Sequence, residues 1–157
     1  MKKIYSTLRH PVKLKLFMLR KLPMGLLAGL KIEELDEQKA VVSIRYKYLT
    51  QNPFHSIYFA CLAMAGELAS GALGIACVYE STPRVSMLVI GMEASFTKKA
   101  VGKIKFTCQD GVAISKAIEE SKSTGEGRTV VATSVGTDEA GDQVAVFRIT
   151  WSYKAKV

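Results

Sequence analysis

Asn52 to Tyr79 reads NPFHSIYFACLAMAGELASGALGIACVY. The stretch is apolar and built of small residues, and its one formal charge, Glu67, stands near the middle. A helix of this length and composition is either a membrane span or the buried centre of a globular domain. The carboxylate separates the two. At the centre of a bilayer an ionised Glu costs about 3 kcal/mol, whereas in a protein core it must be paired, neutralised or put to chemical use. We read a buried central helix with a functional carboxylate, Ser56 as its N-cap and Ile57 as its first helical residue. Ala60, Ala63, Glu67, Gly71 and Gly74 recur at helical spacing and make one small-residue face with an acid in it. Gly66, Gly71 and Gly74 each cost about 1 kcal/mol relative to Ala. Very close approach by a sheet or a partner subunit is the expected compensation.

On the N-terminal side, Ala40 to Tyr48 alternates: Ala40, Val42, Ile44, Tyr46 and Tyr48 face one way, Ser43, Arg45 and Lys47 the other. Lys31 to Asp36 reads as a short strand joined to it by a turn at 36–39. Before these, residues 6 to 21 read as one basic amphipathic helix with Leu8, Val12, Leu16 and Leu19 along one side. Two readings of it stay open: a helix docked on the domain, or attachment to a membrane surface, since Lys and Arg cover its polar side. Pro23 and Gly25 end it, and MGLLAGL reads as a short helical turn. Its cations interrupt any apolar core, so a signal peptide is not expected.

On the C-terminal side, Val85 to Phe96 is apolar on both faces and is expected at the centre of a sheet. Lys103 to Gln109 alternates, with Ile104, Phe106 and Cys108 on one face. Residues 112 to 122 read as a short helix, Arg128 to Val135 as a strand and 138–142 as a turn. In the closing strand, Gln143 to Lys154, Ala145, Phe147, Ile149, Trp151 and Tyr153 share a face. The order gives an α+β fold in which an antiparallel sheet wraps one long helix. Residues 1–29 form an N-terminal helical extension and 30–157 the main unit, as one structural domain overall.

Composition narrows the chemistry. The chain has 157 residues, 48% hydrophobic and 23% charged, which suits a single globular domain. Its net charge of +8 attracts anions, whether nucleic acid, anionic lipid or a phosphorylated cofactor such as coenzyme A. Cys61, Cys77 and Cys108 make no metal-binding spacing, so no metal is expected, and the cytoplasm is the default location. P-loops, dinucleotide-binding glycine patterns and serine-hydrolase elbows are absent. The dispersed basic residues carry no aromatic-basic strand signature, which argues against nucleic acid.

Over residues 30 to 154 the chain resembles the hotdog-fold acyl-CoA thioesterases, on the phenylacetyl-CoA thioesterase-like side of that superfamily. Many of those enzymes carry an Asn, a His-Gly-Gly six residues later and an acid nine residues after the His. Asn52 and Glu67 keep both spacings, while Tyr58-Phe59-Ala60 stands where His-Gly-Gly would be. Phe96, Gly102 and Lys103 in FTKKAVGKIKF match a second pattern in kind, and GRTVVATSVGTDEAGDQVAVFRITW resembles the final hairpin.

The resemblance implies thioester hydrolysis in a homodimer or dimer of dimers, with sites built between subunits. The substrate would be an acyl-CoA or an acyl-carrier-protein thioester, with coenzyme A entering only as part of it and no other cofactor. Glu67 would act as base or nucleophile, and Asn52 would hold the water or the carboxylate. Tyr58, Phe59, Ala60, Ser70 and Gly71 would line the thioester, with the Phe59 and Ala60 N–H groups polarising its carbonyl. Lys98, Lys99, Lys103 and Arg128 would meet the phosphates of coenzyme A. The missing His-Gly-Gly, and Gly71 where a hydroxyl is often found, keep a second reading open: a non-catalytic acyl-thioester or lipid-binding module. A hotdog hydratase would need a His–acid pairing that the chain lacks.

Overall fold

Phe59–Val78 forms one continuous helix, α4, at the centre of the molecule. The computed structural model describes residues 3–156. Three helices precede the sheet, α1 (Lys3–Arg9), α2 (Pro11–Lys21) and α3 (Pro23–Ala28). The strands are β1 (Lys31–Leu35), β2 (Ala40–Arg45), β3 (Val85–Phe96), β4 (Lys103–Cys108), β5 (Arg128–Thr137) and β6 (Gln143–Ala155). A further helix, α5 (Gly111–Thr124), joins β4 to β5.

The six strands make one antiparallel sheet in the order β1-β2-β4-β5-β6-β3. Its inner face is the alternation seen in the sequence: Val42 and Ile44, Ile104 and Phe106, and Phe147, Ile149 and Tyr153 are all buried. The sheet curls around α4, which is the hotdog architecture that the resemblance implied.

The close approach expected at the helical glycines is made by β6. A Cβ on Gly66 would lie 2.7 Å from Phe147 Cδ2, and one on Gly74 would lie 2.8 Å from the Tyr153 hydroxyl. By length and composition α4 is apolar enough to cross a membrane. Two-thirds of its most apolar window is buried within the domain.

Five expectations are corrected. The helix begins at Phe59 with Tyr58 at its N-cap, not at Ile57 with Ser56. The cause is competition for backbone groups. Ile57 N–H donates to Ala100 O and Tyr58 N–H to Thr50 O, so residues up to 58 are held as a loop. Likewise β2 stops at Arg45, where Thr50 Oγ1 caps the Arg45 carbonyl at 2.7 Å and Tyr48–Thr50 turns as a 3-10 helix.

The N-terminal segment is two helices, not one. His10 is extended and Pro11 opens α2, as expected when the residue before a proline is driven from helical geometry. In α2 the docked side is Leu14 and Met18, not Val12, Leu16 and Leu19, which are exposed. Ile4, Leu8, Leu14 and Met18 join the same buried cluster as Ile32 and Leu35 of β1.

Finally, β3 lies at an edge of the sheet, paired with β6 alone. None of its twelve residues is buried, and Leu88, Val89, Ile90, Met92 and Phe96 are all exposed. The sequence reads it as central because both of its faces are apolar, but this chain covers the inner face only in part, through Val85 and Met87, and leaves the rest open.

Candidate active site

The small-residue face of α4 turns toward β6 and β3. Ala60, Ala63, Met64 and Glu67 on it are half-buried, where the sheet runs out at the β3 edge. Glu67 lies along the helix toward the next turn, and glycine makes that possible. A Cβ on Gly71 would stand 3.1 Å from Glu67 Oε1 and 3.5 Å from Trp151 Cζ2. Among the described residues no cation or hydrogen-bond donor meets the Glu67 carboxylate. Burial pushes its pKa above the ordinary carboxylate value. An acid so placed accepts a proton more readily than one in water, which is what a general base requires.

At the start of α4 a groove of about 640 Å³ is lined by Asn52, Tyr58, Phe59, Phe96, Lys98 and Lys99, among others. Phe59 and Ala60 are the first helical residues, and among the described residues no acceptor meets either N–H. These donors, at the positive end of a twenty-residue helix, suit a developing oxyanion. Phe59 is exposed and packs edge-on to Tyr58 (5.0 Å) and Phe96 (6.5 Å), and Phe96 continues to Phe147 (5.7 Å). An aromatic row therefore begins at the helix start and runs into the core.

The other expected residues sort differently. Asn52 spends its amide on the loop: Oδ1 accepts from Phe54 N–H, Ser56 N–H and the Ser56 hydroxyl, and Nδ2 donates to Ile57 O. No hydrogen bond joins it to Glu67 among the described residues. Ser70 is fully buried; its hydroxyl donates to Glu67 O at 3.1 Å and accepts from Trp151 Nε1 at 2.9 Å. It braces the helix and faces no groove.

The four cations are not brought together. Lys98 reaches the groove, but its ammonium is bound to Asp138 (2.6 Å) and Asp142 (2.8 Å), which push its pKa up to about 12. Lys99 lines the same groove. Lys103, the first residue of β4, pairs with Glu33 of β1 at 2.6 Å. Arg128 pairs with Glu126 and Glu120 and sits opposite Tyr153, whereas Phe96 is opposite Ala145. That separation is eight residues of β6, about 26 Å.

Two residues near Glu67 escaped the sequence reading, Trp151 and Tyr153. Their rings stack at 6.4 Å behind Gly71 and Gly74, and the Tyr153 hydroxyl is buried without a partner among the described residues. Burial pushes the Tyr153 pKa up, with smaller contributions from Cys77, Cys108 and Glu67. The alternation of β6 marked both as inward-facing. Joining that pattern to the glycine face of the helix was the signal that would have named them.

A long helix wrapped by an antiparallel sheet, here with an acid on its open face, defines the hotdog fold. Residues 12–153 match the family model DUF4442, a domain of unknown function, and the chain belongs to that family. No curated protein matches it in sequence.

Solved structures share the fold. A Pseudomonas aeruginosa protein of unknown function, described as a probable thioesterase, is 21% identical with a TM-score of 0.78, covering 96% of this chain and 99% of that one. A thioesterase from the same organism, solved as a glutamine-to-alanine variant, is 17% identical with a TM-score of 0.70, covering 90% and 93%. A Staphylococcus aureus thioesterase, also solved as a glutamine-to-alanine variant, is 14% identical with a TM-score of 0.61, covering 84% and 98%.

Proposed function

We propose that this protein hydrolyses acyl thioesters, with coenzyme A or an acyl carrier protein as the leaving thiol. The observation that carries this is Glu67: among the described residues its half-buried carboxylate has no partner, and it lies on the open face of a helix whose first N–H groups meet no acceptor there either. Glu67 takes a proton from water, and the hydroxyl adds to the thioester carbon. The oxyanion so formed is held by backbone N–H groups at a helix start. The C–S bond then breaks, and the thiolate leaves with the proton from Glu67.

The working unit in this proposal is a homodimer. An exposed apolar edge strand of twelve residues is a template for pairing, and pairing β3 with β3 of a second copy would cover the open face beside Glu67. Support comes from spacing as well. The Staphylococcus thioesterase has been solved with a glutamate replaced and with a glutamine replaced, two positions fifteen residues apart. Asn52 and Glu67 stand at the same separation.

One observation favours a second reading, an acyl-thioester-binding module without turnover. The exposed Phe59 ring, packed against Tyr58 and Phe96, belongs to the very residue whose N–H a carbonyl must reach. The test is thiol release from short-, medium- and long-chain acyl-CoAs by the wild type and by Glu67→Ala. Release lost in the variant supports hydrolysis. Binding without release by the wild type supports the module, and gain of turnover in Phe59→Ala would then identify the ring as the block.

A further inference from the structure

The face of α2 that points away from the domain is itself apolar. Val12, Leu16 and Leu19 are 69%, 50% and 60% exposed and follow one another at helical spacing. Met24 and Leu27 of α3, 60% and 56% exposed, add two more apolar side chains within the next eight residues. On the helix, Lys15 flanks the stripe on one side and Lys13 and Arg20 on the other. This is the arrangement in which long cationic side chains reach a polar boundary while the stripe between them enters apolar surroundings.

Charge identifies the occupant. Residues 1–32 contain eight Lys and Arg and no acid, while residues 33–157 contain fourteen of each sign. The whole net charge of +8 is thus carried by the segment that bears the exposed stripe. Among the described residues, no acid pairs with Lys13, Lys15, Arg20 or Lys21. Beside α3 a pocket of about 420 Å³ is lined by Lys15, Lys31, Arg45, Lys47 and Lys103, of which Lys103 is paired with Glu33. A second copy seated on this face through the same residues would set like charges against each other. An anionic bilayer supplies both an apolar interior for the stripe and phosphates for the cations.

We propose that α2 and α3 form a docking face for anionic phospholipid membranes. Val12, Leu16 and Leu19 insert at the headgroup boundary, and Lys13, Lys15 and Arg20 engage lipid phosphates. The proposal does not depend on thioester hydrolysis.

The test is cosedimentation of the full chain with vesicles of phosphatidylcholine alone and with equimolar phosphatidylcholine and phosphatidylglycerol, at low and high salt. The expected result is binding to the anionic vesicles only, weakened by salt, with a loss of about fivefold for Lys13→Ala or Arg20→Ala. Leu16→Glu with Leu19→Glu should leave the thermal transition intact, because both side chains are already in water, and should abolish binding. Wild-type protein that is folded yet stays in the supernatant with anionic vesicles overturns the proposal. So does binding that survives Leu16→Glu with Leu19→Glu. A dimer that this double variant dissociates, with no vesicle binding by the wild type, assigns the face to a second copy instead.

Discussion

Trp151 donates its indole N–H to Ser70 Oγ at 2.9 Å, and Ser70 in turn donates to the carbonyl of Glu67 at 3.1 Å. The last strand thereby holds the helix at the peptide that carries the acid. Trp151→Phe keeps most of the ring and removes the bond, leaving a buried hydroxyl short of a partner. The expected cost is about 1–2 kcal/mol of stability, read from urea melts. The Trp151→Phe, Ser70→Ala double variant should cost less than the two single losses added together.

Glu67→Gln preserves shape and removes the base. Turnover is expected to fall by about a hundredfold or more, with substrate binding, measured by calorimetry, changed far less. In the wild type the rate should rise with pH as Glu67 loses its proton, with a midpoint above the ordinary carboxylate value, because burial raises its pKa. Glu67→Gln should lack that limb.

The same burial has a stability signature of definite sign. Because the folded-state pKa of Glu67 is raised, the folded state binds the extra proton and unfolding releases it. Its burial is free of charge penalty below the unfolded pKa and becomes costly as pH rises through the folded one. Glu67→Gln is therefore expected to raise Tm at neutral pH, and the gain should vanish in acid below the ordinary carboxylate range. Thermal melts across that range decide it. A gain that grows on acidification would contradict the burial argument.

Gly71 makes the space in which the carboxylate lies. A methyl there would sit 3.1 Å from Glu67 Oε1, so Gly71→Ala should displace the acid. Helix propensity favours Ala by about 1 kcal/mol, so stability should hold or rise while turnover drops, on the order of tenfold. Kinetics and melts on the same sample separate the two effects.

Met92 is half exposed on the edge strand, opposite Ile149. A charge placed there should disfavour pairing of two β3 edges. Met92→Glu is expected to halve the mass seen by sedimentation at micromolar concentration and to lower turnover with it. Unchanged mass in a monomeric wild type would remove the dimer from the proposal.

Much of this fold can be read directly from residue patterns. Period-two alternation in Lys103–Cys108 and Gln143–Ala155 marks inward faces because a pleat leaves a side chain no other choice. A lone acid among alanines and glycines marks a candidate site because burial of charge is costly unless it is used. Where two patterns are equally apolar, sequence has no means of choosing. In α2 both Leu14–Met18 and Val12–Leu16–Leu19 qualify as a buried stripe, and packing against the rest of the domain selected the first.

Local periodicity and the cost of burying charge are enough to locate the central helix, the alternating strands and Glu67 as the residue to explain. Tertiary structure alone decided three further matters. It bound Lys98, Lys103 and Arg128 to carboxylates remote in sequence or across a turn. It set Trp151 and Ser70 as the brace behind Glu67, and it left β3 at an open edge. Each of these depends on which segments meet across the fold, and contact between distant residues leaves no trace in the periodicity of either one.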